Sequence, residues 1–292
     1  PRGKVGAVVA LSDKLETLVG LFGIGQAPTG DKDPFALRRH ALGVIRILME
    51  GDLDLELNNL LKIAVSSIAP DGIISDRLTS DEAKWGAEPQ SSQSNKSINS
   101  SASSPRVLSA AYAERRIDPE KTISTLTEFI FERLFHFLRD RGYTAQEVDA
   151  VLSLKPQRLS DIPKRLSAVR AFAALPEAGA LAAANKRVGN ILKKAEDAPR
   201  AAADAALFRE AAESALFVTL NDIAPKAEAT FERGDYATSL KTLAALRQPV
   251  DAFFAQVMVN TEDAALRANR LALLEQLRAA MNQVADLSKL SV

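Results

Sequence analysis

The sequence contains no cysteine, so disulfides and thiolate metal sites are excluded, and a reducing compartment is compatible with it. Its two histidines, His40 and His136, lie far apart, and neither has a second ligand at helical spacing, so no metal site is expected. Net charge is missing as well: 37 Lys and Arg balance 37 Asp and Glu. No global field draws the chain onto nucleic acid or membrane, and a polyanion must be met by a local patch. No apolar run approaches the roughly 20 residues of a membrane span. No alternating strand pattern stands out, no nucleophile has an adjacent base, and no catalytic constellation is formed.

What is present is helix. Apolar residues recur at spacings of three and four, Ala and Leu are abundant, and the fold class is all-α. A length of 292 residues allows one large or two medium domains. Helices are predicted over 5–22, 34–50 and 55–69, the second with Asp33 as cap and Pro34 in the first helical position. The chain opens Pro1-Arg2-Gly3 with a helical pattern already under way, which suggests a fragment of a longer protein. The first domain is placed at 1–70. From Asp71 the periodicity stops, and 91–104 (SSQSNKSINSSASS) has almost nothing to bury, so 71–118 reads as a linker with a Ser-rich insert. Trp85 on its approach docks on a neighbour or stands exposed.

Pro119 opens a long helix striped by Ile123, Leu126, Ile130, Leu134, Phe137 and Leu138, which Gly142 ends. Thr144 and Glu147 suggest a capping box for the next helix, and another helix is predicted over 161–174, so 119–175 forms a connecting segment. The remainder, 176–292, reads as an antiparallel bundle with breaks at Pro199, Pro225, Gly234-Asp235 and Pro249. Its final helix carries the stripe Leu266, Leu273, Leu277, Met281 and Val284.

Several stretches are candidates for function. The loop 25–32 (GQAPTGDK) resembles a P-loop, but Asp31 replaces the phosphate-binding Lys and a helix precedes it, which favours a rigid structural loop. The strongest candidate is AANKRVGNILKK. On a helical wheel Lys186, Arg187, Asn190, Lys193 and Lys194 fall within about 120°, opposite Ala184, Val188, Ile191, Leu192 and Ala195. That face suits a phosphate backbone, with an amide to read a base edge; a solvated basic face is the commoner meaning of such a run. In the final helix Arg267 and Arg278 edge the apolar stripe and are candidate RNA contacts. Arg270 falls inside it, so an internal ion pair is expected, with Asp263 or Asp251 as partner. The pair Phe253-Phe254 reads chiefly as core. Arg38, Arg39 and Arg46 make a secondary basic group, more suited to solvent or a partner subunit than to RNA.

The run GIGQAP-GDKDPFALRR, preceded by DKLETLVGLF, resembles the β subunit of the bacterial two-subunit glycyl-tRNA synthetase. So do NKRV-NIL, here with Gly189 interposed, and the stretch 231–259. Asp263-Ala264-Ala265-Leu266-Arg267 is similar to the signature of DALR anticodon-binding domains with one extra Ala. The resemblance covers 5–69 and 122 to the C-terminus. It implies an HD-like helical end segment at 1–70, where Asp13 matches the last acidic position of the HD pattern, and an anticodon-binding bundle at 176–292. It further implies glycine–tRNA ligase as the enzyme, with tRNA(Gly) and an α subunit as partners in a cytoplasmic α2β2 assembly. ATP and Mg would act at the α subunit, and this chain would hold no cofactor of its own. A helical scaffold without RNA contact and a remnant HD phosphohydrolase are the rival readings.

Overall fold

In a computed structural model of the protein, residues 1, 3–68, 118–195 and 202–291 are described, and every regular element among them is helical. The Ser-rich stretch, Trp85 and Pro199 lie outside the described residues. The chain divides into two compact units, Pro1–Gly51 with Leu55–Arg133, and Asp52–Asp54 with Leu134–Val292.

The first unit contains α1 (Gly3–Gly23), α2 (Leu37–Glu50) and α3 (Leu57–Ile68). Leu11, Leu15, Leu18, Val19 and Phe22 of α1 are buried where it packs on α2 and α3. Their spacing makes one helical stripe, as the periodicity requires. Val5, Val8 and Val9 continue the helix upstream but stay exposed. The second helix starts later than expected. Asp33 does cap it, accepting from the N–H of Leu37 at 2.7 Å and of Arg38 at 3.0 Å. It does so across a turn at Pro34-Phe35, with Ala36 in the left-handed region at φ 56°, so Pro34 is not the first helical residue. Phe22 meets Phe129 of α4 (Pro119–Asp140) with ring centroids 5.0 Å apart.

The second unit holds α5 (Ala145–Leu152), α6 (Ile162–Ala173), α7 (Ala178–Lys194), α8 (Ala211–Glu232), α9 (Tyr236–Leu243), α10 (Arg247–Gln256) and α11 (Ala264–Met281), with a closing 3-10 turn at Leu287–Leu290. The predicted capping box is present: Thr144 Oγ1 accepts from Glu147 N, and the Glu147 carboxylate accepts from Thr144 N at 2.7 Å. All five predicted stripe residues of the last helix are buried. Pro225 departs from expectation, because α8 runs through it rather than ending there. A helix interior tolerates Pro at a cost of about 3 kcal/mol when packing on either side holds it, and here Leu216, Leu220, Ala227 and Thr230 are buried around it. Pro249 sits in the first turn of α10, where its missing N–H would have had no helical partner.

Two arginines fasten this unit internally. Arg165 on α6 donates from Nη1 to the carbonyls of Gln283 (3.1 Å) and Val284 (3.0 Å), just past α11. Its guanidinium also lies over Phe231 and Tyr236, at 5.2 and 4.9 Å. Arg270 forms the expected internal ion pair, but with Glu213 on α8, at 2.6 Å with side chains 6% and 0% exposed. Neither anticipated partner is available: Asp263 caps α11 and faces Arg209 at 3.3 Å, while Asp251 faces Arg247 at 3.7 Å. Burial pushes the Glu213 carboxyl up, but the Arg270 hydrogen bond and the N–H groups of Glu210 and Arg209 hold it below its ordinary value. Among the described residues no single helix is long and apolar enough to cross a membrane.

Candidate nucleic-acid interface

The helix α7 is amphipathic in fact as in pattern. Leu181, Ala182, Ala184, Asn185 and Val188 are buried and Ile191, Leu192 and Ala195 of the predicted apolar arc are half-buried, while Lys186, Arg187, Asn190, Lys193 and Lys194 are exposed. The apolar arc turns α7 onto α11 and the 3-10 turn and leaves the basic arc outward. None of its four cations has a carboxylate partner among the described residues. Lys193 and Lys194 sit in the last turn, where the negative end of the helix dipole favours positive charge.

Lys186 and Asn190 form a ridge with a hollow on each side. The larger, about 650 Å³, lies between α7, the end of α11 and the 3-10 turn, and is lined by Gly189, Lys193, Arg278 and Lys289 among others. The smaller, about 420 Å³, is lined by Arg187, Ile191, Lys194 and Asn260. Both volumes fall in the range of small-molecule pockets. At the larger hollow the amides of Asn185 and Asn282 bond reciprocally, at 2.8 and 3.2 Å, and Asn282 Oδ1 also accepts from Leu287 N at 3.1 Å. A buried amide on the apolar arc of α7 is thus satisfied, and it ties that helix to the turn beyond α11. At the smaller hollow the Arg187 guanidinium lies 4.2 Å from the centroid of the Phe254 ring. The pair 253–254 is therefore split: Phe253 is core, whereas Phe254 is half-buried beneath Arg187.

The other predicted residues are placed differently. Arg278 is exposed at the rim of the larger hollow, 3.7 Å from Glu275. Arg267 is half-buried and donates to the Thr261 carbonyl at 2.9 Å; it lines neither hollow. In the first unit Arg38 donates to the Gly30 carbonyl, Arg46 faces Glu50 at 3.3 Å, and Arg39 is exposed. The loop 25–32 uses its own backbone: Gly25 N and Gln26 N bond to the end of α1, and Thr29 and Lys32 bond each other. Few amides are left to cradle a phosphate. Asp13 is exposed, 3.8 Å from Lys14, and among the described residues no three His, Asp or Glu side chains are grouped to hold a metal ion. Asn185, Asn282, Asn260 and Lys289 were not singled out in the sequence, and Phe254 was read chiefly as core. Asn185 alone had a signal, as a polar residue on an apolar arc.

Among the described residues the second unit is a helical bundle that carries a basic helix face beside two hollows, and residues 181–291 match the family described as DALR anticodon binding domain. Residues 1–153 match the glycyl-tRNA synthetase beta subunit family. The chain belongs to the glycyl-tRNA synthetase β-subunit family. It is 57% identical over 292 residues to the glycine–tRNA ligase beta subunit of Dechloromonas aromatica (strain RCB), covering 100% of this chain and 35% of that protein. Against the subunits of the same name from Janthinobacterium sp. (strain Marseille) and Delftia acidovorans (strain DSM 14801 / SPH-1) the identities are 55% and 54%, each over 100% of this chain and 35% of the relative. The chain spans about a third of the length of these relatives.

Proposed function

We propose that this chain supplies the tRNA-binding part of the β subunit of glycine–tRNA ligase, and that its bundle grips the anticodon arm of tRNA(Gly) through α7. Glycine activation by ATP with Mg, and transfer to the tRNA, are then the work of an α subunit in a cytoplasmic α2β2 assembly. This chain holds no cofactor of its own. The single observation that carries the reading is the exposed arc of Lys186, Arg187, Lys193 and Lys194, free of internal carboxylates among the described residues. In a chain whose total charge is zero, such an arc is the local positive patch a polyanion needs.

Binding should be salt-dependent, with log K falling by roughly 0.7 to 0.9 per phosphate neutralised for each log unit of salt. Replacing Lys186, Arg187, Lys193 and Lys194 together by Glu should weaken binding of transcribed tRNA(Gly) and flatten that slope, while circular dichroism stays helical. A titration at two salt concentrations checks it. Equal affinity of the variant and the parent at low salt would sink the reading. Copurification with an α subunit in the absence of any tRNA shift would make the chain a scaffold instead.

A further inference from the structure

Within the first unit, between α1 and the start of α2, lies a hollow of about 290 Å³ lined by Lys14, Ala36, Arg39 and His40. Every polar side chain on that lining is basic, and none of them serves the fold. Arg39 is exposed and has no carboxylate partner among the described residues. The carboxylate near Lys14 is that of Asp13, itself exposed, at 3.8 Å. That is beyond hydrogen-bond reach, and exposed pairs of this kind contribute little. Asp33 is already committed to the N–H groups of Leu37 and Arg38.

Lys14 is held in place even so. Its stem crosses the backbone of α2 at Gly43, where an added Cβ would stand 2.5 Å from Cε and 2.6 Å from Cδ of Lys14. A glycine at that position keeps the path open. Glycine in mid-helix is unfavourable relative to alanine, and an ordered lysine gives up more rotamer freedom than most side chains. Two unfavourable choices thus fix one half-buried ammonium beside a second cation, and no internal hydrogen bond from that ammonium offsets them among the described residues. His40 is half-buried, and its Nδ1 is shut off from solvent without a hydrogen-bond partner. Orphaned N–H groups are rarer in protein interiors than orphaned acceptors, which puts the proton of the neutral ring on Nε2 and makes that nitrogen the donor.

We propose that this hollow binds a small phosphate-class oxyanion, inorganic phosphate or pyrophosphate, held by the Lys14 ammonium, the Arg39 guanidinium and Nε2–H of His40. The guanidinium fork matches two oxygens of a tetrahedral anion, and the ammonium meets a third as a point charge. The volume falls just below the range of pockets that enclose whole small molecules, so it suits the oxyanion alone and not an entire nucleotide.

Isothermal titration calorimetry of the full chain with inorganic phosphate and with pyrophosphate, at an ionic strength fixed by chloride, reads the site. One ion should bind per chain. Lys14→Met and Arg39→Gln should each weaken binding tenfold or more, the scale of one charge-assisted hydrogen bond. Gly43→Ala should weaken it as well by displacing Lys14, while the melting temperature holds or rises, because alanine favours the helix. That variant separates loss of the site from loss of the fold. Reversal of Lys186, Arg187, Lys193 and Lys194 to Glu should leave phosphate binding as in the parent, and Lys14→Met should bind tRNA(Gly) as the parent does. No saturable binding, or parental binding in Lys14→Met and Arg39→Gln, overturns the inference. So does loss of phosphate binding in the α7 reversal, which would place the ion on α7, or weaker tRNA binding in Lys14→Met, which would make Lys14 part of an RNA surface. The proposed function stands or falls separately, on the tRNA titration of the α7 reversal.

Discussion

At the scale of single residues, Arg270 and Glu213 form the most consequential pair. Both side chains are buried, and Glu213 also accepts from the N–H groups of Arg209 and Glu210 at 2.9 and 2.7 Å. Removing one partner leaves an uncompensated buried charge, so Arg270→Met should cost about 3 to 5 kcal/mol in urea unfolding. Adding Glu213→Gln should recover much of that loss, because the remaining group is neutral and still bonds the backbone. Glu147 makes a prediction about acid. The Arg170 hydrogen bond, against the opposing effect of burial, lowers its carboxyl from 4.5 to about 2. A folded-state value below the unfolded one stabilises fully above pH 4.5 and is lost as pH falls toward 2. Glu147→Gln should therefore lower the melting point at neutral pH and make the decline between pH 4.5 and 2 shallower than in the parent. The capping role of Glu147 was legible because Thr144 is three residues away. Its second partner, Arg170, lies 23 residues on across a helix pair, and local patterns do not report that. For the same reason the burial of Arg270 could be read from its place in the stripe, whereas its partner, 57 residues away, could not.

At the scale of elements, α7 and α8 show where sequence periodicity succeeds and where it misleads. The basic arc of α7 was fully legible, since one helix supplies all five side chains and 3.6-residue geometry fixes their relation. The hollows beside it were not. Their other walls come from the end of α11, the 3-10 turn and Asn260, elements brought together only by packing. Reading Pro225 as a break failed because tertiary burial on both sides of it outweighs one lost backbone bond. Pro225 is exposed, so Pro225→Ala should restore that bond without disturbing the core. Thermal unfolding should show a gain of about 1 to 2 kcal/mol, the helix penalty of Pro reduced by the extra freedom Ala gives the unfolded chain. A fall in stability would mean that the local distortion at Pro225 is itself used in packing α8.

At the scale of the whole molecule, the all-helical character and the helices given bounds in advance, over 5–22, 55–69, 119 onward and 161–174, were close to what the periodicity predicts, whereas the start of α2 and the break at Pro225 were not. That follows from the chain's composition: where apolar residues recur at helical spacing and turns are marked by Gly, Pro and Asp, local and tertiary preferences agree. The division into units was less legible, because it falls within the continuous helix α4, between Arg133 and Leu134, with no change in composition there.

Arg165 grips the carbonyls of Gln283 and Val284 with the same guanidinium that covers Phe231 and Tyr236. It thereby hangs the wall of the larger hollow from the junction of α8 and α9, which borders neither hollow. A ligand that clamps this wall would slow amide hydrogen exchange around 231–236, a region it never touches. In Arg165→Met that remote protection should vanish while protection within α7 persists.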